Sequence, residues 1–220
     1  MNFNAIIFDL DGTLLDTLED IAGAANHVLA QMGLPTHDVD AYRHFVGDGI
    51  NILFTRVLPE ENRDGDVVAQ CVTAFREAYG HYWNVTTKPY DGVPEMLDGL
   101  AAGGLKMAVL SNKPDDFAKK CVAELLSEWR FEVVFGFHNG IPRKPDPGGA
   151  LQIAELLNTA PEQIIYLGDT DVDMKTAIAA GMFPVGAIWG FRSVEELRNS
   201  GAEKVIALPQ DLLHLVTEKG

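Results

Sequence analysis

Residues 5–12 read Ala5-Ile6-Ile7-Phe8-Asp9-Leu10-Asp11-Gly12, an apolar run that ends at an aspartate and is followed by a turn-forming Asp-Gly pair. So short an apolar run, bounded by a turn signal, is typical of a buried strand rather than of a helix. Asp9 then falls at the carboxyl end of that strand. In an open parallel sheet, ligands bind beyond the carboxyl ends of the strands. The stretch therefore predicts both a sheet and the edge at which its chemistry takes place.

Similar apolar runs recur at residues 105–110, 164–167, 185–188 and 205–208, with helical patterns between several of them. Such alternation of strands and helices is the pattern of an α/β fold with a parallel sheet. We therefore predict a doubly wound, Rossmann-like α/β core. The segment 15–88 breaks the alternation, because it is helical in pattern. We interpret it as a helical cap inserted into a catalytic core made of residues 1–14 and 89–220.

The first cap helix is expected to begin near Asp16 or Thr17, where Thr17-x-x-Asp20 resembles a capping box, and to end at Gly33. Two further amphipathic stretches, at 49–58 and 67–82, predict helices that complete a small bundle.

The charge balance limits the classes of partner. The 220 residues carry 17 Lys and Arg against 32 Asp and Glu, a formal charge of −15 that repels nucleic-acid backbones and anionic membrane surfaces. No apolar run approaches the ~20 residues that cross a bilayer, and the N-terminus lacks a signal-peptide pattern. Cys71 and Cys121 are too few for a disulfide framework. We expect a cytoplasmic protein that binds neither nucleic acid nor membrane.

Chemistry-bearing residues follow the predicted strands. They are Asp9 and Asp11, then Ser111 and Asn112, then Asp169, Asp171 and Asp173, with Lys144 in a proline-rich loop. Several carboxylates in one pocket repel one another unless a cation joins them, and clustered oxygen ligands select a hard ion. Zinc patterns, a nucleotide-binding Gly-x-x-x-x-Gly-Lys-Ser/Thr loop and a Gly-x-Ser-x-Gly elbow are absent from the sequence. We therefore predict Mg²⁺ as the cofactor.

Four motifs together resemble those of the haloacid dehalogenase superfamily, in the same order and at similar spacing. They are Phe8-Asp9-Leu10-Asp11-Gly12-Thr13-Leu14, Leu110-Ser111-Asn112, Lys144-Pro145 and Gly168-Asp169-Thr170-Asp171-Val172-Asp173. Dehalogenases of this superfamily lack the second acid, whereas its phosphatases have both, so Asp11 implies phosphoryl transfer. Gly47-Asp48-Gly49, Tyr90-Asp91-Gly92-Val93 and Trp189-Gly190-Phe191-Arg192-Ser193 look like segments of phosphoglycolate phosphatases.

The resemblance implies a role for each core residue. Asp9 is the expected nucleophile that forms an aspartyl phosphate, and Asp11 the acid and base. Thr13 is expected to support the Asp11-Gly12 turn by hydrogen bonds and to contact the substrate. Ser111, Asn112 and Lys144 are expected to bind the phosphoryl group, and Lys144 also to neutralise charge. The expected metal ligands are Asp9, Asp11 through its backbone carbonyl, Asp169, and Asp173 as a ligand or an orienting residue.

Other positions receive secondary interpretations. Arg43, Arg56 and Lys88 are candidates for holding a carboxylate at the far end of a small phosphorylated metabolite such as 2-phosphoglycolate. Asp171 is expected to help cap the helix that follows it, and Trp189 is assigned to packing or to the surface.

Three alternatives stay open. A sugar phosphomutase of the same superfamily returns the phosphoryl group to a second hydroxyl, and a pyrophosphatase with the same cap uses a different substrate. A non-enzymatic module that resembles a response-regulator receiver also places acids, a hydroxyl and a lysine around a phosphorylated aspartate. The helical insertion after the first strand and the Asp9-x-Asp11 spacing favour turnover.

Overall fold

The computed structural model describes residues 3–217. Its strands are β1 (Ala5–Phe8), β2 (Leu15–Asp16), β3 (Lys88–Pro89), β4 (Lys106–Pro114), β5 (Val133–Phe137), β6 (Ile164–Gly168), β7 (Phe183–Ala187) and β8 (Lys204–Ile206). Its helices are α1 (Leu18–Gln31), α2 (Tyr42–Phe45), α3 (Ile50–Val57), α4 (Gly65–Tyr82), α5 (Val93–Ala102), α6 (Asp115–Leu125), α7 (Gly148–Leu156), α8 (Asp171–Ala179), α9 (Val194–Asn199) and α10 (Asp211–Thr217). Short 3-10 helices occupy Val39–Ala41, Glu60–Asn62 and Pro161–Gln163.

The chain forms two compact units, one comprising the chain up to Leu15 and from Pro89 onward, the other Asp16–Lys88. It leaves the first unit through β2 and returns through β3, and these two strands form a two-stranded sheet. Within the first unit, the backbone N–H of Tyr90 donates to the carbonyl of Leu14 at 3.2 Å. The two ends of the inserted segment therefore meet at one point of that unit.

The first unit is built on a six-stranded sheet in the order β5-β4-β1-β6-β7-β8. Every pairing is parallel, and the sheet is flanked by helices. The central strand β1 lies between β4 and β6, with Phe8 opposite Val109 and Leu167. All four β1 side chains are fully buried, which explains why the strand is a continuous apolar run. The predicted doubly wound α/β core is confirmed.

The structure extends one predicted strand and contains another that was not predicted. β4 was expected to end at Leu110 but continues to Pro114, so Ser111 and Asn112 lie inside the strand rather than after it. Pairing of β4 with the edge strand β5 becomes irregular between Leu110 and Pro114. β5 itself was not predicted, because most of its residues are only partly buried and its apolar run is interrupted by Gly136.

The second unit is helical, as expected for the inserted segment. α1 buries the face that contains Ile21, Ala25 and Leu29, and α4 places Phe75 and Tyr79 in a stack with ring centroids 5.2 Å apart. The predicted helices at 49–58 and 67–82 correspond to α3 and α4. The short helix α2 and the 3-10 turn before it were not predicted.

The predicted capping box at the start of α1 is wrong. Thr17 is the N-cap residue but makes no side-chain cap bond. The Asp20 carboxylate instead accepts hydrogen bonds from the backbone N–H groups and the hydroxyls of Thr86 and Thr87, at 2.7 to 3.1 Å. Burial alone would raise the pKa of Asp20, but the bonds from Thr87 and Thr86 lower it. Asp20 therefore ties the start of α1 to the segment that precedes β3.

We expect Asp20→Ala to lower the free energy of unfolding by about 3 kcal/mol, because it leaves the buried donors of Thr87, and the donors of the exposed Thr86, without their acceptor. Because the pKa of Asp20 is lowered in the folded state, its contribution is complete above the unfolded pKa of about 4 and is lost as the pH falls below it. Urea titrations at pH 7 and pH 3 measure both effects. An equal cost of the substitution at the two pH values would contradict the ionic part.

Within residues 3–217, no helix combines the length and the apolar character needed to cross a bilayer.

Candidate active site

Three buried carboxylates meet at the carboxyl edge of the sheet. Asp9 follows β1, Asp169 follows the neighbouring β6, and Asp173 lies in the first turn of α8. One oxygen from each lies within 4.8 Å of the other two. Parallel pairing of β1 with β6 brings the strand ends together, which the sequence predicted for these acids.

Lys144 provides the positive charge in this cluster. Its Nζ lies 3.0 Å from Asp9 Oδ1 and 2.6 Å from Asp173 Oδ1. The Lys144 backbone is fixed by Asn112, whose Oδ1 accepts its N–H at 2.9 Å and whose Nδ2 donates to its carbonyl at 3.1 Å. Asn112 thus positions the lysine, a contact that its predicted role at the phosphoryl group did not include.

The electrostatics of the cluster favour a further cation. Burial and the nearby charge of Asp173 raise the pKa of Asp9 to about 7, although Lys144 opposes the shift. Burial and the charges of Asp173 and Asp9 raise the pKa of Asp169 well above its usual value. Burial alone would lower the pKa of Lys144, but Asp173 and Asp9 raise it, so the lysine stays charged. One ammonium does not balance three buried acids, and a hard divalent ion with oxygen ligands fits this set.

Asp169 is held by the first motif and by the loop after β7. The Thr13 hydroxyl donates to Asp169 Oδ1 at 2.7 Å, and the Phe191 N–H donates to Oδ2 at 2.8 Å. The Trp189 indole N–H donates to the Thr13 carbonyl at 2.9 Å. Trp189 was assigned to packing, yet it braces the residue that orients Asp169. Thr13, predicted to contact substrate, is placed here against the acid.

Close approach around Asp169 requires two glycines. Gly12 has a φ of +86°, and a Cβ at this position would overlap the Asp169 carboxylate. A Cβ on Gly190 would collide with the Gly12 carbonyl and with Asp169. Glycine is therefore required both at Gly12 in the first motif and at Gly190 in the loop after β7, because both backbones pass close to the Asp169 side chain.

Asp173 also caps the start of α8, a role that the sequence predicted for Asp171. Its Oδ2 accepts from the Thr170 hydroxyl at 2.6 Å and from the Thr170 N–H at 3.1 Å, which closes a capping box at the start of α8. Asp171, expected to help cap this helix, is its first residue and pairs with Lys175 at 2.6 Å. Thr170 is the actual N-cap.

Asp11 is not part of the three-acid cluster. Its carboxylate accepts from Lys113 Nζ at 2.8 Å and 3.1 Å. Lys113 was missed in the sequence, although it directly follows the Ser111-Asn112 pair. The hydroxyl of Ser111 is buried at the same edge and accepts the Lys113 N–H at 3.3 Å.

The two cap arginines each contact a neighbouring acid within the second unit. Arg56 lies 2.5 Å from Asp48 and donates to the Phe45 carbonyl at 3.1 Å, whereas Arg43 bonds to Asp40 at 2.9 Å. The side chains of Arg43 and Arg56 are both more than a third exposed. Their role in holding a carboxylate stays a prediction.

The arrangement is suited to phosphoryl transfer. It offers a buried carboxylate at Asp9 that could act as a nucleophile, a lysine beside it, a separate acid at Asp11, and the oxygens of Asp9, Asp169 and Asp173 that could hold a cation. Asp9 Oδ1 accepts the Leu10 N–H at 2.7 Å, which fixes the rotation of the carboxylate.

Comparison with known proteins gives matches over most of the chain. A family model described as haloacid dehalogenase-like hydrolase matches residues 6–187. A phosphoglycolate phosphatase of Aquifex aeolicus (strain VF5) is 33% identical over 211 residues, which cover 96% of this chain and 95% of the relative. A phosphoglycolate phosphatase of Pseudomonas putida (strain KT2440) is 32% identical over 190 residues, 84% of this chain and 70% of the relative.

Solved structures are similar across the whole chain. A crystal structure from Lactobacillus delbrueckii subsp. bulgaricus superimposes with a TM-score of 0.93 at 28% identity, covering 100% of both chains. A predicted phosphoglycolate phosphatase of Haemophilus somnus 129PT gives a TM-score of 0.91 at 25% identity, covering 99% of both.

Proposed function

The chain belongs to the haloacid dehalogenase-like hydrolase family and is a phosphatase, and from this premise we propose that it is a Mg²⁺-dependent phosphomonoesterase that acts through an aspartyl phosphate. The family match confirms the resemblance carried by the four motifs. The observation that carries the proposal is the buried group of Asp9, Lys144, Asp169 and Asp173, in which a nucleophile, a cation and an acidic metal site share one strand edge.

The first half of the reaction transfers the phosphoryl group to Asp9. The Asp9 carboxylate attacks phosphorus, the bond from phosphorus to the ester oxygen breaks, and Asp11, which enters this step protonated, donates its proton to that oxygen and becomes a carboxylate. Lys144, 3.0 Å from Asp9, offsets the negative charge that gathers there. The Ser111 hydroxyl and nearby backbone N–H groups bind the phosphoryl oxygens.

The second half returns Asp9 to its starting state. Asp11 takes a proton from a water molecule, the water oxygen attacks phosphorus, and the bond from phosphorus to Asp9 breaks with release of inorganic phosphate. Mg²⁺ would be held by Asp9, Asp169 and Asp173, together with the Asp11 backbone carbonyl, and would supply positive charge against the phosphate dianion. Thr13 and Phe191 keep Asp169 oriented for this task.

The proposed substrate is 2-phosphoglycolate or a similar small phosphorylated metabolite. The support is the name of the relatives from Aquifex aeolicus and Pseudomonas putida, at identities near one third. A screen that measures inorganic phosphate released from 2-phosphoglycolate, hexose phosphates, nucleotides and pyrophosphate tests it. Preference for pyrophosphate or a sugar phosphate would reject the substrate, and a single turnover that leaves the phosphate on the enzyme would favour a signalling module.

We expect 2-phosphoglycolate to be hydrolysed with a higher kcat/KM than ethyl phosphate, because a charge-assisted bond to its carboxylate contributes about 1.5–3 kcal/mol. If Arg43 or Arg56 makes that bond, its replacement by Ala lowers kcat/KM for 2-phosphoglycolate roughly ten- to a hundredfold and changes ethyl phosphate hydrolysis little. Arg63→Ala is the matched control, because Arg63 donates to the Leu58 carbonyl in the same unit and has no proposed contact with substrate. Equal losses on both esters would reject the carboxylate contact.

A further inference from the structure

We infer that Lys113 is a positioning residue for Asp11, holding its carboxylate in the orientation from which it exchanges a proton with the ester oxygen and with water. The inference rests on the proposed function, because it concerns how Asp11 performs the acid and base steps. It adds a second lysine to the site, with a task different from that of Lys144.

The contact between the two side chains is direct and buried. Lys113 Nζ lies 2.8 Å from Asp11 Oδ1 and 3.1 Å from Oδ2, and the side chains are 4% and 12% exposed. Burying an ammonium is costly unless a partner compensates it, and the Asp11 carboxylate compensates the charge of this lysine. Bonds to both carboxylate oxygens fix its rotation as well as its position.

Asp11 depends on this contact for its orientation. Within residues 3–217, each hydrogen bond to its carboxylate comes from Lys113 Nζ. The turn that carries Asp11 is held through backbone groups, with the Gly12 N–H bonded to the Leu15 carbonyl at 2.9 Å. These bonds locate the backbone but leave the side-chain torsions of Asp11 open. Lys113 therefore supplies the constraint that the turn does not.

The strand β4 explains how Lys113 reaches Asp11. β4 pairs with β1 in parallel, and it continues past Leu110 to Pro114 with an irregularity in its pairing to β5. Such irregularities re-aim side chains at sheet edges and next to active sites. Three consecutive residues then have different tasks: Ser111 is proposed to bind the phosphoryl oxygens, Asn112 fixes the Lys144 backbone, and Lys113 holds Asp11.

Orientation of an acid has a recognisable kinetic effect. A misplacement of about 1 Å in a reacting group lowers rates by roughly 10²-fold. An alkyl ester needs a proton on its leaving oxygen, whereas the p-nitrophenolate of p-nitrophenyl phosphate leaves without one. Loss of orientation at Asp11 must therefore slow phosphoryl transfer from an alkyl ester more than from p-nitrophenyl phosphate.

The experiment is a double-variant cycle with Lys113→Met, Asp11→Asn and the pair combined, using kcat/KM for ethyl phosphate, 2-phosphoglycolate and p-nitrophenyl phosphate. We expect Lys113→Met to lower kcat/KM roughly ten- to a hundredfold for both alkyl esters and less than about threefold for p-nitrophenyl phosphate. In the Asp11→Asn background it should cost nothing further, because its target is gone. Lys113→Arg, which keeps a cationic donor, should restore part of the loss.

Several results would overturn the inference. The inference fails if the fold-loss in kcat/KM of the combined variant equals the product of the two single losses. It also fails if Lys113→Met lowers kcat/KM equally for aryl and alkyl esters, because either result would show that Lys113 does not act through Asp11. A loss confined to 2-phosphoglycolate would make Lys113 a contact for the substrate carboxylate instead. Lys119→Met is the matched control, because it removes an ammonium from an exposed pair with Asp115 on α6.

The same variants distinguish a loss of stability, and a failure of the proposed function, from a failure of the role inferred for Lys113. Thermal unfolding of each variant reports stability, and the combined variant removes both charges, so it avoids leaving one buried charge alone. A wild-type protein that releases no phosphate from any ester would overturn the proposed function, and the role of Lys113 with it. If the wild type is active but the effects of Lys113→Met and Asp11→Asn on the activation free energy simply add, only the role of Lys113 is overturned.

Discussion

Asp9→Asn is expected to reduce phosphate release by at least about 10⁴-fold while the protein stays folded. The substitution keeps the shape of the side chain and the acceptor for the Leu10 N–H, but it removes the anionic nucleophile. It should also be tolerated structurally, because burial and Asp173 already raise the pKa of Asp9 to about 7 in the protein without a bound cation. Lys144 keeps Asp173 as its partner at 2.6 Å.

Two measurements check this prediction. The rate of steady-state phosphate release measures the loss of activity. Acid quenching during turnover of a substrate labelled with radioactive phosphorus measures the amount of phosphorylated protein, which the wild type should form and Asp9→Asn should not. Asp171→Asn is the matched control, since Asp171 pairs with Lys175 outside the cluster. Near-normal turnover by Asp9→Asn would rule out the covalent mechanism.

Removal of divalent cations is the second large effect, with an expected loss of at least about 10³-fold in phosphate release. Asp9, Asp169 and Asp173 share one buried site with the Lys144 ammonium, and a phosphate dianion cannot join them without further positive charge. Mg²⁺ added back should restore activity. Ca²⁺ should bind but support turnover poorly, because its looser coordination need not hold the nucleophile and phosphate in line.

Metal binding can be measured without turnover. A ligand that binds only the folded state raises stability in proportion to the logarithm of its concentration, so Tm should rise with added Mg²⁺. Asp169→Asn should weaken that rise, whereas Asp171→Asn should not. Full activity in excess chelator would contradict the requirement for a metal, and an unchanged Tm response in Asp169→Asn would contradict the assignment of that ligand.

The sequence predicted the parts of the fold that depend on local pattern. β1 has the predicted bounds because a four-residue apolar run between turn signals allows few alternatives. The acids at the ends of β1 and β6 could be placed together because parallel strands bring their carboxyl ends to one edge. β5 was missed because an edge strand is partly exposed and carries a weak pattern.

Residues whose roles depend on distant contacts could not be predicted in this way. Asp20 matched a capping box locally, yet its partners Thr86 and Thr87 lie 66 and 67 residues away. Lys113 and Asp11 are separated by 102 residues, and a single lysine after a strand is ordinarily a solvated side chain. Trp189 likewise has the local pattern of a packing residue, but its indole N–H donates a hydrogen bond to the carbonyl of Thr13, which is 176 residues away.

The meeting of Leu14 and Tyr90 has a consequence for how this architecture can diversify. Because the backbone N–H of Tyr90 bonds to the Leu14 carbonyl, the chain of the first unit leaves and returns at neighbouring residues, as it does at the ends of a tight loop. The entropy of closing a loop grows only with the logarithm of its length, so a longer or shorter insertion costs the unit little. Inserted segments can therefore be exchanged at this junction by recombination while the catalytic groups stay in place. Engineered chimaeras joined at these two residues would measure how much the stability of the first unit depends on the segment inserted there.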